Sequence, residues 1–473
     1  MTAQRLTLPD PEIELYEDGF DAKDRGIADL GRKEDGKKLS DLVEKFAEPM
    51  VIAVDAPWGA GKSVFLKCWV GEHIKPKYKR KTTTVYFDAF QHDFLDDPLV
   101  SIFKEVTDRI EKLKPETTED AEQQRIAKLK DLSGKAKKYV PILGRAALRL
   151  AVGTVATEAI MDIENPDESS LDELLQNANS EAAKAIGAFW NAEETHSQAM
   201  NGFREYLSDL AKAQKLVIVV DELDRCRPDY ALNLLEVIKH FFNVENVHFV
   251  LGVNLTELEN SVRARYGAGV NAGLYLQKFV TVKMPLSVRD QHLNKDANAD
   301  HFHNISQSMG IDTKQKTWQY LDLIIKDCPP RSMTLRSIER LTTTLKLSFL
   351  GHSFSWKTSG HDLLRAALLV IKVCETDAYQ NILHGKIKLS EFRAVFGLFG
   401  PPMAQNTGEN HITQASEYIF TDPDDRDKTS LGGSLFKPDM FRSYGDDEMK
   451  YLNGPQILQK LATEELEVFQ LPT

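Results

Sequence analysis

Five short runs of apolar and β-branched residues punctuate the chain, at 50–54, 82–87, 216–220, 247–253 and 280–284. The third, Leu216-Val217-Ile218-Val219-Val220, is continuously apolar, the pattern of a strand covered on both faces. Between the runs the apolar positions fall at helical spacing instead. Val64, Phe65, Leu66, Cys68 and Trp69 follow the first run; Ala231, Leu234, Leu235, Ile238, Phe241 and Phe242 follow the third. Strands alternating with helices predict an α/β fold on a mostly parallel, doubly wound sheet.

The segments outside this alternation are of four kinds. Residues 1–27 are polar and rich in Pro and Asp, which predicts an extended arm. Leu39, Leu42, Val43 and Phe46 then predict a helix leading into the first strand, with Arg32 ahead of it read as a solvated surface residue in preference to a contact with a nucleotide base or phosphate. A long helical insertion is expected at about 98–215, and its residues 104–138 mix both charge signs. Residues 140–161 are the most apolar of all, but Arg145 and Arg149 interrupt them. A spanning helix wants ~20 predominantly apolar residues, and two arginines near its centre would be costly. They lie four apart on one helical face, so an amphipathic helix packed against protein fits better. From 286 onward helices are predicted at 318–325, 332–350 and 362–373. After 400, Gly, Pro and Asp with little period predict an irregular tail. The expected organisation is therefore an arm (1–27), a core (28–285) carrying the insertion, a helical region (286–400) and a tail (401–473).

Composition narrows the classes. With 42% hydrophobic and 27% charged residues the chain reads as an ordinary soluble protein. A net charge of −12 argues against a generally basic nucleic-acid surface. The four cysteines, Cys68, Cys226, Cys328 and Cys374, are scattered and form no CxxC pair, so they read as reduced thiols with no zinc site. The N-terminus lacks the apolar core of a signal peptide, and a cytoplasmic location is expected.

Chemistry enters at the turn after the first run, Asp55-Ala56-Pro57-Trp58-Gly59-Ala60-Gly61-Lys62-Ser63. Strand, glycine-rich turn and helix are the context of a phosphate-binding P-loop. In such a loop Pro57, Trp58, Gly59, Ala60, Gly61, Lys62, Ser63 and Val64 form the cradle, backbone N–H groups and the helix N-terminus facing the phosphates. Lys62 would reach the β- and γ-phosphates and Ser63 would ligate Mg²⁺. One departure is Ala56 at the place of the first glycine, which is tolerated if its φ stays negative. Asp221, at the tip of the buried third run, has the placement of a Walker B carboxylate holding Mg²⁺. Glu222 would polarise the attacking water, with Asp224 in reserve. Asn254, ending the fourth run, would bond that water or the γ-phosphate, or else cap the next helix. Arg225 would be an arginine finger, in cis or across a subunit boundary. His92 and Asp93, after the second run, face either the nucleotide or a partner, or simply cap their loop.

At these residues the chain resembles the KAP family of P-loop NTPases. The likeness rests on Trp58-Gly59-Ala60-Gly61-Lys62-Ser63, Phe87-Asp88-Ala89-Phe90, Val220-Asp221-Glu222-Leu223-Asp224-Arg225-Cys226, Phe249-Val250-Leu251-Gly252-Val253-Asn254 and Tyr275-Leu276-Gln277-Lys278-Phe279, within residues 28–345. The resemblance implies an additional-strand (ASCE-class) ATPase using ATP and Mg²⁺, with an insertion between its Walker motifs and a helical lid. Pro329-Pro330-Arg331 with Arg336 and Arg340 matches that lid, and Arg331 would sense the γ-phosphate. Ala56, Asn254 and Gln277 depart from the family pattern, and the insertion lacks a convincing span, so membrane anchoring is not carried over. The resemblance also implies a regulatory or defence role in bacteria, including anti-phage systems.

Two functions of different class follow. One is an ATP-driven switch, with assembly into a homo-oligomer or docking of a protein partner through the insertion or lid. The other is a nucleotide-binding scaffold with negligible hydrolysis, acting through its insertion on a protein or membrane partner. A small-molecule kinase fits the carboxylate-rich run less well, and a nuclease lacks a further carboxylate cluster.

Overall fold

The computed structural model describes residues 11–21, 32–75, 82–94, 97–114, 120–136, 200–286, 297–330, 332–350, 359–398, 408–423, 425 and 452–467. They divide into two compact units, one of Pro11–Trp58 with Lys62–Leu286, the other of Ser287–Thr473 with Gly59–Gly61.

The first unit is built on β1 (Val51–Asp55), β2 (Thr82–Asp88), β3 (Lys215–Asp221), β4 (Val247–Val253) and β5 (Val282–Pro285). Their spatial order is β2-β3-β4-β1-β5. Every pairing is parallel, so each connection is a crossover. β4 therefore lies between β1 and β3, the additional strand that the family resemblance implies. β1 to β4 are buried along almost their whole length, which is why they read as continuous apolar runs. β5, at the sheet edge, is half exposed and correspondingly alternates.

The described ends of the insertion belong to the core. Helix Pro98–Glu111 and helical residues 200–213 bury Phe103 and Phe203 against each other, ring centroids 5.2 Å apart, and Phe203 meets Phe241 at 5.0 Å. The apolar stretch 140–161 with Arg145 and Arg149 lies outside the described residues. Among those described, no helix is long and apolar enough to cross a membrane.

Two expectations are corrected near the N-terminus. Residues 11–21, expected to be an extended arm, pack on the core: Phe20 is buried and lies 5.6 Å from the Phe65 ring. A Cβ on Gly71 would stand 2.0 Å from the Asp18 carbonyl oxygen, so only glycine permits this approach. Tyr16 covers the β2 edge. Its hydroxyl accepts the Tyr86 N–H at 2.9 Å, its ring stacks 3.7 Å from the Arg109 guanidinium, and Arg109 Nε donates to Thr84 O at 3.1 Å. Polar groups that an open edge would leave unpaired are met in this way. Arg32, expected at the solvated surface, is buried at the start of helix Arg32–Lys45.

A buried histidine gives this unit a pH dependence. His248 is enclosed on β4, and burial, with Lys215 nearby, pulls its imidazole down to about 4 against the opposing charge of Glu44. In the unfolded chain it titrates near ~6.5. The folded value is the lower one, so between these values the unfolded state binds more protons. Stability therefore falls as pH drops from about 6.5 towards 4, by up to about 3 kcal/mol at the acid end. Urea midpoints measured across that window should fall less steeply in His248→Phe than in the parent; equal slopes would rule this contribution out.

The second unit is helical, with Ala297–Ser308, Lys316–Asp327, Leu335–Leu350, Ser359–Cys374, Thr376–Leu383, Leu389–Val395, Gly408–Phe420 and Gly454–Leu461. The last two correct the expected irregular tail. Gly408–Phe420 buries Ile412, Ala415 and Ile419 at helical spacing. Gly454–Leu461 starts on a capping box between Asn453 and Gln456 with Pro455 in its first turn. Each is too short for its period to stand out among the surrounding glycines and prolines. Beyond it, buried Glu465 accepts from His361 at 2.7 Å and ties the chain's end to helix Ser359–Cys374.

Candidate functional site

The carboxyl ends of β1 and β3 carry the candidate chemistry. β1 leaves through Ala56 and Pro57 into the turn, and helix Lys62–His73 starts at the candidate lysine itself. Gly59 and Gly61 have φ of +79° and +81°, a region where a side chain would be strained. Ala56 is not among the described residues of positive φ, which satisfies the condition set for replacing that glycine. Its N–H donates to Val253 O at 3.2 Å, fastening the loop's root to β4. Asp55 adds a second fastening: Oδ1 accepts the Leu255 N–H at 2.9 Å and Oδ2 pairs with Lys283 at 2.7 Å.

Lys62 is only 8% exposed, and burial lowers its pKa while Asp224 and Asp221 oppose that shift. Its Nζ donates to Ala56 O at 2.7 Å and stands 4.0 Å from Asp224 Oδ2. Pro57 and Trp58 are exposed and Val64 is half-buried. The Trp58 indole nonetheless donates to Asp224 Oδ2 at 2.6 Å. Asp224, held in reserve for water activation by the sequence, is thus engaged with the P-loop.

At the end of β3, Asp221 is fully buried. Its Oδ2 accepts the Tyr86 hydroxyl at 2.6 Å and its Oδ1 the Glu222 N–H at 2.9 Å. Burial raises its pKa, and hydrogen bonds from Tyr86 and Ser63 oppose this. Glu222 occupies the left-handed region at φ +59°, a conformation that costs a non-glycine residue on the order of 1–3 kcal/mol. Its Oε1 accepts from Ser63 Oγ at 3.5 Å and pairs with Arg225 Nη1 at 3.1 Å. Burial raises the Glu222 carboxyl too, Arg225 pulls it back and Asp221 adds to the rise. Strain held at a polar carboxylate is the kind of feature that accompanies function.

The sheet order brings these groups together. With strands ~4.8 Å apart, interposing β4 separates β1 from β3 by about 10 Å, leaving width for a phosphate chain between turn and carboxylates. Gly252 of β4 lies in register between Val54 and Asp221. A Cβ there would stand 2.4 Å from Leu66 Cδ1 and 2.6 Å from Asp221 Oδ1, so glycine lets helix and carboxylate close over the strand.

Other expected residues are placed differently. Asn254 is the N-cap of helix Leu255–Tyr266, its Oδ1 accepting the Thr256 N–H at 3.2 Å. Asp93 anchors the turn after β3, accepting Arg227 N–H and Nε–H, each at 2.8 Å. His92 stacks on the Phe87 ring at 5.0 Å. Arg331 lies outside the described residues. Tyr86 and Gly252 were missed as site residues. Their signal is positional, a hydroxyl two residues before the end of β2 and a glycine inside an otherwise apolar strand.

A family model described as the KAP family P-loop domain matches residues 34–348, about two thirds of the chain. The chain belongs to the KAP family of P-loop NTPases. This KAP domain is similar to an uncharacterised protein of Methanocaldococcus jannaschii, 29% identical over 180 residues that cover 35% of this chain and 87% of that one. The solved structure of the Aeropyrum pernix ORC2 protein in its ADPNP–ADP complexes aligns with 82% of this KAP chain and 80% of its own, at 12% identity and a TM-score of 0.33.

Nucleotide binding is expected of a P-loop domain. The residues present also fit Mg²⁺: Ser63, at the start of the helix after the P-loop turn, and Asp221, at the end of β3, offer hard oxygen donors. Among the described residues no group of three or more His, Cys, Asp or Glu forms a metal cage. Mg²⁺ beside a nucleotide needs only one or two carboxylates with the phosphates.

Proposed function

We propose that this KAP domain binds ATP, hydrolyses it with Mg²⁺, and works as a regulatory switch. The observation that carries the reading is the convergence, at the carboxyl ends of β1 and β3, of Lys62 and Ser63 from the helix that follows β1 with Asp221 and Glu222 at the end of β3. In this scheme residues 57–64 cradle the phosphates and Lys62 balances their charge. Ser63 and Asp221 would hold Mg²⁺, which would draw charge from the phosphate oxygens and lessen their repulsion of the attacking water. Glu222, held in the left-handed region beside Ser63 and Arg225, orients a water and accepts its proton. Arg225 supplies positive charge, in cis as its pairing with Glu222 favours, or towards a second copy. Asn254, as helix cap, and Asp224, through Trp58 and Lys62, brace the site from either side.

The test is the rate of phosphate release per protein, with Mg²⁺, across a range of protein concentration, with Lys62→Ala as the zero. A specific rate that is constant and above the zero supports a site complete within one chain; a rising rate supports completion by assembly. A rate equal to that of Lys62→Ala at every concentration would overturn the stand-alone ATPase and favour the scaffold.

A further inference from the structure

We infer that Tyr86 is a positioning residue, whose hydroxyl sets the Asp221 carboxylate for the divalent cation that accompanies the nucleotide. The inference rests on the reading of Ser63 and Asp221 as the cation's ligands.

The geometry starts from the strand register. Asp88 of β2 pairs with Asp221 of β3, and Tyr86 pairs with Val219 on the same two strands. From there the Tyr86 side chain reaches forward along the neighbouring strand to Asp221, Oη to Oδ2, at 2.6 Å. That is the short distance of a charge-assisted O–H···O bond. The other carboxylate oxygen accepts the Glu222 N–H at 2.9 Å. A carboxylate held at both oxygens cannot turn about its own axis, which free aspartate does readily. An ionised carboxylate has about four lone-pair sites. Tyr86 and the Glu222 N–H occupy two, which leaves room for the cation or its bound water.

The phenol is itself held in place. Its backbone N–H donates to Tyr16 Oη at 2.9 Å, and Lys67 Nζ sits 5.6 Å from its ring centroid. Lys67 lies one turn beyond Ser63 on helix Lys62–His73. Tyr86 thus touches the helix that carries one proposed cation ligand and bonds the other ligand directly. A phenylalanine would fill the same volume, so the hydroxyl's distinct contribution is its bond to Asp221. Outer partners that orient metal ligands in this way typically change metal affinity by about 10–100-fold when removed.

The experiment compares the full chain with Tyr86→Phe, using a fluorescent ATP analogue in EDTA and then titrating Mn²⁺ as the cation, followed by its electron paramagnetic resonance. Nucleotide affinity in EDTA should agree within about twofold, while apparent Mn²⁺ affinity at saturating analogue falls about 10–100-fold. In an Asp221→Asn background the same change should cost no further Mn²⁺ affinity, because its effect passes through that carboxylate. Unchanged Mn²⁺ affinity, even with a lowered melting temperature, would leave Tyr86 a structural residue and overturn the inference. If Tyr86→Phe does not fold, 3-fluorotyrosine placed at position 86 keeps the hydroxyl. Its fluorine resonance should move on adding Mg²⁺ with nucleotide and stay put with nucleotide in EDTA; an identical resonance in both would also overturn the inference. A parent chain whose nucleotide binding ignores Mg²⁺ and Mn²⁺ altogether would instead sink the cation site, and with it the reading on which this rests.

Discussion

Glu222→Gln is expected to lower steady-state turnover by about 10²–10⁴-fold while leaving ATP binding within a few-fold of the parent. The range is that of a positioned general base. Glutamine keeps the shape and the left-handed backbone, and it can still accept from Ser63, so the cradle and the cation ligands stay in place. It loses the basic oxygen and weakens the pairing with Arg225, which lies 3.1 Å away. Stability should change by no more than about 0.5 kcal/mol, since neither burial nor backbone strain is altered. Single-turnover hydrolysis beside equilibrium binding of a fluorescent analogue separates the two effects. Turnover within a few-fold of the parent would remove Glu222 from the role. Asp224→Asn should not mimic it: Asp224 holds Trp58 at 2.6 Å and faces Lys62 at 4.0 Å. Its loss should loosen the P-loop and show first in nucleotide affinity. A large turnover defect at unchanged affinity in Asp224→Asn, with Glu222→Gln near normal, would transfer the role to Asp224.

Lys62→Ala is expected to abolish measurable turnover and to weaken nucleotide binding as well. Removing one preorganised donor aimed at developing charge costs about 10²–10³-fold in rate. Here the same group also binds the ground state. Lys62 is held for this in a buried position, its Nζ on the Ala56 carbonyl at 2.7 Å with two carboxylates opposing the lowering of its pKa by burial. The ammonium is therefore already desolvated before a phosphate reaches it. Calorimetric titration of ATP, with far-ultraviolet circular dichroism to confirm the fold, checks both halves. Binding equal to the parent would mean the phosphates lie elsewhere.

Much of this was legible along the chain because parallel strands buried on both faces write themselves as apolar runs, and because a P-loop is a local object. Turn, glycines, lysine and serine are contiguous, and the tolerance of Ala56 reduced to the sign of one φ angle. Asp221 and Glu222 were equally visible, since the carboxyl end of a buried strand in an open parallel sheet is where ligands and the polar groups that meet them gather. What the chain order could not tell is which strands become neighbours. Only the tertiary structure inserts β4 between β1 and β3, spacing the loop from the carboxylates, and only then do Gly252 and Tyr86 acquire a purpose. Both act across strands, through contacts between residues 31 and 135 positions apart from Asp221 in sequence. The same distance in sequence hid the partners of Asp224 and Asp93, because Trp58 and Arg227 come within hydrogen-bond reach of them only in the fold. Asn254 shows the converse: its cap is a local contact, because a side chain one residue before a helix finds the free N–H groups of the first turn closest to hand. Sequence determined the chemical repertoire of this KAP domain; the packing of distant strands decided which of those groups touch.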